Sequence, residues 1–281
     1  MNAYSIALIP GDGIGKDVTG AAWRVLQAAA KRGGFALEGT SFPWSCAYYL
    51  DTGAMMPPDG IETLRKFDAI LLGAVGWPAQ VPDSVSLHGL LLPIRKTFTQ
   101  YANIRAHRPL PGVEGPLRPK SFDILCIREN TEGEYSGAGG RVHSGTANEV
   151  AIETSIFTRA GVERILRFGF EQARARRKKL ASVTKSNAQK HSMVFWDEVT
   201  REVAKDYPDV EASPYHIDAI GRADGPGAGE PRCGRRLRSV RRHPHRHWCS
   251  HPGRAGLRRL GQYQSRSQRA VHVRAGPWLG A

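Results

Sequence analysis

The sequence of 281 residues is long enough for one large domain or two ordinary ones, with ample material for a buried core. A formal net charge of +14 would ordinarily indicate a polyanionic partner, but the charge is unevenly distributed. Residues 221–281 carry 14 arginines against one aspartate and one glutamate, whereas the preceding residues carry 26 Lys and Arg against 24 Asp and Glu. Most of the chain is nearly neutral, which argues against a nucleic-acid-binding protein.

The cysteines and the first residues narrow the class of protein further. Cys46, Cys126, Cys233 and Cys249 show no paired spacing, so neither a disulfide framework nor a zinc module is indicated. The start, MNAYSIALIPGDG, lacks the basic region and long apolar core of a secretory signal, and no apolar run approaches the roughly 18 residues of a membrane span. We therefore expect a cytoplasmic protein with no membrane partner.

Strand-like and helical patterns alternate along the first 219 residues. In chain order, short apolar runs predict buried strands in YSIALIP, FDAILLGAVG, FDILCIREN and KKLASVTKSN. Helical periodicity predicts amphipathic helices in GKDVTGAAWRVLQAAAKRGG, in RAGVERILRFGFEQARARRKK with cationic last turns, and in SMVFWDEVTREVAKDYP, ended by Pro208. This alternation predicts an α/β fold in which helices cover a largely parallel sheet.

Residues 220–281 differ from the rest of the chain in composition and periodicity. Residues 221–281 contain 10 glycines and 5 prolines, no Ile, Phe or Met, and no apolar periodicity. Such a segment buries too little apolar surface to offset its ordering entropy, so we expect a disordered tail. Two alternatives are a nucleic-acid-binding arm and a metal site formed by the histidines of RSVRRHPHRHWCSHPGRAGLRR; their irregular spacing disfavours the metal site.

The stretch IPGDGIGKDV joins the first strand to the first helix. Glycines at 11, 13 and 15 permit a tight turn, and the helix N-terminus could receive an anion. The spacing matches neither the dinucleotide pattern G-x-G-x-x-G nor a phosphate-binding P-loop. A structural turn and a ligand contact are both compatible with it.

Five charged residues are candidates for a site. Arg95, Arg105 and Arg128 come from separate predicted elements, and converging guanidinium groups would favour a di- or tricarboxylate; the alternative is that they are ordinary surface cations. Lys185 follows a predicted buried strand, where desolvation can prepare a lysine as a general base, or it is simply a surface lysine. Asp218 is a lone carboxylate in an apolar context, which fits a cap or salt-bridge partner as well as a metal ligand.

Several long motifs together resemble one enzyme family. They are IPGDGIGKDV, MMPPDG, FDAILLGAVGWP, VPDSVSLHGLLLPIRKTFTQYANIRAHRPL, IRENTEGEYSG, TKSN and YHIDA, and they span about residues 4–219. The pattern resembles the isocitrate and isopropylmalate dehydrogenase superfamily. GAVGWP, VPDSVSLHG and ENTEGEYS are most similar to its subgroup of tartrate and D-malate decarboxylating dehydrogenases.

The resemblance implies an NAD-dependent oxidative decarboxylation of a 2-hydroxy diacid. It implies that Arg95, Arg105 and Arg128 hold the carboxylates of the substrate. Lys185 would accept the hydroxyl proton as hydride passes to NAD, and Tyr135 would protonate the enolate left by loss of carbon dioxide. The preferred acid, D-malate or tartrate, and a requirement for potassium stay open.

The resemblance also implies where cofactors bind and how the chain assembles. Mg²⁺ or Mn²⁺ would act as a Lewis acid, with Asp218 in a metal-ligand position of the family. NAD would lie near Gly73 and Ala74 of GAVG and near Asn187. In the family Lys185 and the metal-binding aspartate come from the partner subunit, so a homodimer is expected.

The expected architecture is the isopropylmalate dehydrogenase-like two-domain fold in truncated form. Residues 1–98 would form the first part of a large cofactor-binding α/β domain, 99–219 a smaller α/β domain with the dimer contacts, and 220–281 the basic tail. Two family segments are absent: FGDIL(T/S)D, with two further metal aspartates, and the cofactor segment EPVHGSAP.

A frameshift near residue 220 would explain the absence of both segments. Codons permitted for residues 240–248, VRRHPHRHW, give FGDILTDI when read one nucleotide later, and the same shift in residues 272–281 gives MFEPVHGSA. The gene sequence tests this hypothesis directly.

Three alternatives to the proposed activity stay open. They are isopropylmalate or isocitrate oxidation, an inactive truncated product with no activity, and nucleic-acid binding through the tail.

Overall fold

A computed structural model describes residues 2–113 and 122–219, together with the backbone of 271–273. The chain divides into two compact units, with the boundary between Gln100 and Tyr101. The observed fold is of the mixed α/β class that the alternation of patterns predicts. The three functional domains given above, 1–98, 99–219 and 220–281, stay predictions.

The first unit is built on a sheet whose strands lie in the order β10 (Val271–Val273), β3 (Ala69–Ala74), β1 (Ala3–Gly11) and β2 (Ala36–Ser41). β2 and β3 each pair in parallel with β1, which lies between them. The helical stretch 83–97 comprises α4, a π-helical turn at Leu87–Leu91, and α5. The elements are β1 Ala3–Gly11, α1 Ile14–Gly33, β2 Ala36–Ser41, α2 Cys46–Thr52, α3 Gly60–Leu64, β3 Ala69–Ala74, α4 Asp83–Ser86 and α5 Leu92–Thr97.

The core of the first unit lies between this sheet and the helices that follow it. β1 contributes Ala7 and Ile9, both fully buried, as the apolar run YSIALIP predicts. α1 ends where Gly34 takes a left-handed conformation and donates its backbone N–H to the carbonyl of Ala30. The remaining buried members of the core are Trp44, Cys46, Met55, Leu64, Ile70, Val75, Val81, Leu90 and Ile94.

The described residues of the second unit form three two-stranded sheets and two helices. β4 with β5, and β6 with β7, are antiparallel, whereas β8 and β9 are parallel. The crossover from β8 to β9 runs through α7, as a parallel pair requires. The elements are β4 Ala102–His107, β5 Ile124–Glu129, β6 Gly133–Val142, β7 Val150–Ile156, α6 Arg159–Arg174, β8 Lys179–Thr184, α7 Ser192–Ala204 and β9 Glu211–His216.

α6 and α7 supply the core of the second unit. The fully buried Phe170 of α6 stacks on Tyr207 with 4.9 Å between ring centroids. Burying two aromatic rings in contact is among the largest apolar contributions that a small core can make. The other buried members of this core are Val162, Leu166, Ala173, Val199, Val203 and Val210.

Both helices end earlier than the sequence predicts. α6 stops at Arg174, because the backbone reverses at Lys178 with a positive φ of 56° and β8 then begins. Arg174 lies in the last turn, as predicted for the cationic residues, and also forms an ion pair with Asp209 at 2.6 Å, whereas the basic residues at 176–179 lie beyond the helix. α7 stops at Ala204, before Pro208, because a turn carries Tyr207 into the core.

Two strands predicted as buried are only half covered. Along β5 and β8, exposed residues alternate with covered ones. Each strand contacts α6, and successive side chains of a strand point to opposite faces, so only alternate residues are covered. The prediction of strands was correct and the prediction of burial on both faces was wrong.

The tail falls largely outside the described residues, so its expected disorder is not addressed by the structure. The backbone of β10, Val271–Val273, pairs antiparallel with β3, and Val271 lies opposite Leu71. Within the part of the chain that is described, no helix has both the length and the apolar character needed to cross a membrane.

Candidate active site

Two of the three predicted substrate arginines lie on one face of the β4–β5 pair. In its antiparallel register Asn103 lies opposite Arg128, and Arg105 lies opposite Cys126. Directly opposed side chains project from the same face of a sheet. Arg105 is partly covered and Arg128 is exposed. Strand pairing thus places two guanidinium groups in one neighbourhood.

Tyr135, the predicted proton donor, joins Arg128 from β6. The Nη2 atom of Arg128 donates a hydrogen bond to the phenolic oxygen at 2.6 Å, and its Cζ lies 5.0 Å from the centroid of the ring. Both residues line a cavity of about 770 Å³ between β5 and β8, beside α6. The hydrogen bond and the cation–π contact orient the two side chains toward each other.

Two buried asparagines that the sequence analysis missed support the same face. The Nε atom of Arg105 donates to Oδ1 of Asn103 at 3.1 Å, and Nδ2 of Asn103 donates to Oδ1 of Asn130 at 3.5 Å. Their relative exposures are 6% for Asn103 and 2% for Asn130. The one available signal was that Asn103 precedes a candidate arginine by two positions, which places both on one face of a strand.

Lys185 and Asp218 form an ion pair through Nζ and Oδ2. β8 and β9 are parallel with Thr184 opposite His216, so their carboxyl ends lie side by side. Lys185 follows the first strand directly, and Asp218 follows the second by two residues. The structure therefore brings these two predicted site residues together. Asp218 is a salt-bridge partner, which is one of the roles predicted for it.

Buried hydroxyl groups fix the end of β8 below Lys185. The Thr184 hydroxyl lies 3.0 Å from Oδ1 of Asp197 on α7, and Ser182 lies 3.3 Å from Thr200 of the same helix. Ser182, Thr184 and Thr200 are all buried. Buried polar groups with mutual hydrogen bonds favour one arrangement of strand and helix, which holds Lys185 at a defined place.

Two glutamates of ENTEGEYS have structural partners. Glu129 accepts hydrogen bonds from the backbone N–H groups of Thr131 and Glu132 at 2.8 and 2.6 Å. Glu132 accepts from the backbone N–H and the hydroxyl of Thr158, the N-cap of α6, at 3.0 and 2.6 Å. A carboxylate at a helix N-terminus is favoured by the helix dipole. The acidic part of this motif shapes the turn that presents Tyr135.

In the first unit, the glycine-rich turn after β1 is organised by its own aspartate. Asp12 is buried and accepts backbone N–H bonds from Cys46 at 3.0 Å, Ala47 at 3.4 Å and Gly76 at 3.0 Å. Its carboxylate thus joins the β1–α1 turn to the start of α2 and to the segment after β3. These contacts give IPGDGIGKDV a structural role that spacing alone left undecided.

Cys46 is unsuited to act as a nucleophile. Burial, reinforced by the neighbouring Asp12, raises the pKa of its thiol to about 11. The thiolate is the reactive form of cysteine, and at neutral pH this thiol is protonated. Cys126, in contrast, is exposed and lies on the face of the β4–β5 pair that carries Arg105 and Arg128.

Gly73 and Ala74, predicted to contact the cofactor, have packing roles in β3. A Cβ atom on Gly73 would lie 2.3 Å from the carbonyl oxygen of Pro10 and 2.4 Å from Oγ1 of Thr19, so no side chain fits there. The Ala74 carbonyl accepts the backbone N–H of Asp12 at 2.6 Å. Their contact with NAD stays a prediction.

The remaining two predicted contacts, Arg95 and Asn187, lie in different units. Arg95 lies in α5 of the first unit and lines a small cavity with Ile94 and Gln100. Asn187 is exposed in the turn two residues beyond Lys185. The convergence of Arg95 with Arg105 and Arg128, and the cofactor contact of Asn187, stay predictions.

The described residues do not complete a metal site. Asp218 offers one carboxylate, and no group of three or more His, Cys, Asp or Glu side chains that could hold a metal ion occurs within 2–113 and 122–219. Magnesium and similar hard cations require several oxygen ligands. The described part of one chain therefore does not fit Mg²⁺ or Mn²⁺ by itself.

Comparisons with known proteins give the family of this chain. The profile of the isocitrate/isopropylmalate dehydrogenase family matches residues 5–222. The chain is 51% identical over 222 residues to a probable tartrate dehydrogenase/decarboxylase of Bacillus subtilis, covering 78% of this chain and 62% of the relative. It is 53% identical over 225 residues to D-malate dehydrogenase [decarboxylating] of Escherichia coli, with the same coverage of 78% and 62%.

A solved structure gives the same result. The crystal structure of isocitrate dehydrogenase from Methylococcus capsulatus superposes with a TM-score of 0.67 at 30% identity, covering 78% of this chain and 62% of that one. This chain belongs to the isocitrate/isopropylmalate dehydrogenase family. It spans about 62% of the length of the curated relatives given above.

Proposed function

We propose that this chain is built for the NAD-dependent, metal-dependent oxidative decarboxylation of a 2-hydroxy diacid, D-malate or tartrate. The observation that carries the proposal is the grouping of Arg105, Arg128 and Tyr135 around the β4–β5 pair. The relatives named tartrate dehydrogenase/decarboxylase and D-malate dehydrogenase support this choice of substrate class.

Each residue has a role that its chemistry supports. The guanidinium of Arg128 presents a planar fork that suits a carboxylate, and Arg105 lies diagonally across the strand pair to hold a second one. Tyr135 has its phenolic oxygen at the Nη2 atom of Arg128, so it would lie beside a carboxylate bound there and would give its proton to the enolate.

Lys185 would accept the proton of the substrate hydroxyl group. In this chain its ammonium is paired with Asp218 and is in part exposed, so the lysine must first release one proton to water before it acts as a base. NAD would supply the acceptor for the hydride when bound. Arg95 and Asn187 belong to the proposal as further substrate and cofactor contacts, on the strength of the family.

Binding and turnover experiments with four acids test the proposed substrate class. The purified 281-residue chain is titrated calorimetrically with D-malate, tartrate, isopropylmalate and isocitrate in the presence of Mg²⁺. We expect D-malate or tartrate to bind, and no NADH to form, because the described residues supply one metal carboxylate. A version whose gene is restored to the other reading frame after residue 220 should form NADH. Preference for isopropylmalate or isocitrate in both experiments would contradict the proposal.

We also propose that the chain forms a homodimer through the β6–β7 hairpin. Val142, Val150, Ile152 and Ile156 are 44–52% exposed, and the register places them on one face of the hairpin. Exposed apolar residues grouped on one surface are typical of protein interfaces. A dimer would also supply a second Lys185–Asp218 pair.

Replacing Ile152 with lysine is expected to shift the chain from dimer to monomer. A charge at the centre of an apolar interface must be desolvated, which weakens the dimer by about tenfold or more. Sedimentation equilibrium measures the change, and the exposed Thr146→Lys in the adjoining turn is the matched control. Unchanged dimerisation in Ile152→Lys would place the interface elsewhere.

A further inference from the structure

Asn103 lies between the two arginines of the candidate site. It is directly opposite Arg128 on β5 and two residues before Arg105 on β4, and all three side chains project from one face. Asn103 is buried while the arginines are partly covered or exposed. Asn103 is therefore a buried amide placed beside two guanidinium groups.

The hydrogen bonds of Asn103 define its orientation. Its Oδ1 accepts the Nε–H of Arg105 at 3.1 Å, and its Nδ2 faces Oδ1 of Asn130 at 3.5 Å. Oxygen must therefore face the arginine and nitrogen must face Asn130. Because Asn130 is buried at 2% exposure, it provides a fixed support for this amide.

We propose that Asn103 is a positioning residue that orients Arg105 for end-on binding of one substrate carboxylate. This inference rests on the proposed function. A guanidinium can grip a carboxylate through Nε and Nη2 or through Nη1 and Nη2. Because Asn103 accepts the hydrogen of Nε, the grip through Nε and Nη2 is not open to a carboxylate, and we infer the grip through Nη1 and Nη2.

The neutral amide also suits its position beside two cations. Asn103 fills the place across from Arg128, where a cation would repel both guanidinium groups and an anion would neutralise one of them. An uncharged acceptor fixes the direction of Arg105 and leaves its positive charge for the dianionic substrate. This combination explains why an amide, rather than a carboxylate, occupies this place.

The test observes Arg105 directly. The full chain is labelled with ¹⁵N-arginine, and the Nε–Hε resonance of Arg105 is assigned by its absence in Arg105→Lys. In Asn103→Leu we expect Hε to exchange with water about tenfold faster and D-malate affinity to fall about tenfold, since a hydrogen bond to a charged group is lost. Asn103→Asp keeps the acceptor and should retain slow exchange. Asn148→Leu, in the exposed β6–β7 turn, should match the unaltered chain.

The outcomes separate this inference from the proposed function. If Asn103→Leu leaves the Arg105 resonance unchanged, the inference is overturned, whether or not affinity falls. If the unaltered chain does not bind D-malate, the proposed function fails, and the exchange rate of Arg105 alone then decides whether Asn103 orients it. Faster exchange confined to Asn103→Leu shows in both cases that Asn103 orients Arg105, and unchanged D-malate affinity in that variant would overturn the link to carboxylate binding.

Discussion

Replacing Arg128 with methionine is expected to weaken the binding of D-malate by about 100-fold, because truncating one partner of a charged contact costs about 2–5 kcal/mol. Arg128 offers its guanidinium on the face shared with Arg105, and its Nη2 contacts the Tyr135 hydroxyl at 2.6 Å. Methionine keeps a similar length and removes both the charge and the fork. Calorimetric titration of D-malate in the presence of Mg²⁺ measures the loss.

Two variants serve as controls for Arg128→Met. Arg141→Met makes the same chemical change at an exposed arginine of the hairpin, which pairs with Glu149 at 2.9 Å, and should leave affinity unchanged. Arg128→Lys keeps the charge without the planar fork, so its affinity should fall between the other two. Equal D-malate affinity in Arg128→Met and the unaltered chain would remove Arg128 from the site.

The second large effect is expected on stability, in the first unit. Asp12→Ala should lower the free energy of unfolding of that unit by about 3 kcal/mol or more, because a hydrogen bond to a charged group contributes about 1.5–3 kcal/mol. The substitution leaves the backbone N–H groups of Cys46, Ala47 and Gly76 without the carboxylate that accepts them. Urea denaturation measures the change.

Graded variants distinguish this role of Asp12 from a general effect of losing negative charge. Asp12→Asn keeps one carbonyl oxygen and should lose less stability than Asp12→Ala. Asp51→Ala removes an exposed carboxylate from α2 and should change the free energy of unfolding little. Equal stability of Asp12→Ala and Asp51→Ala would show that the β1–α1 turn does not depend on its aspartate.

Asp12 and Arg128 are both charged side chains whose positions are fixed by hydrogen bonds to residues of other segments. The Asp12 carboxylate accepts backbone N–H groups from two other segments of the first unit, whereas Arg128 and Arg105 are proposed to bind an external anion. Glu129 uses its carboxylate in the same structural way as Asp12, within its own turn.

The sequence by itself determined the class of fold, because helical and strand periodicities are local properties of the chain. The apolar run of β1 and the amphipathic pattern of α6 identify their elements without knowledge of any partner. Long motifs such as ENTEGEYS and TKSN identified the family and made Arg128, Tyr135 and Lys185 candidates for the site. The predicted ends of α6 and α7 were less accurate. The chain reverses at Lys178 to begin β8, and it turns after α7 so that Tyr207 packs in the core.

Only the tertiary structure decided which side chains meet. Lys185 and Asp218 are adjacent because β8 and β9 run parallel in a specific register, and Asn103 faces Arg128 because β4 and β5 run antiparallel. A sequence pattern states which face of a strand a residue occupies but not which strand lies beside it. For that reason the partners of Asp12, Asn103 and Gly73 could not be read from the sequence, and the contacts between strands and loops revealed them.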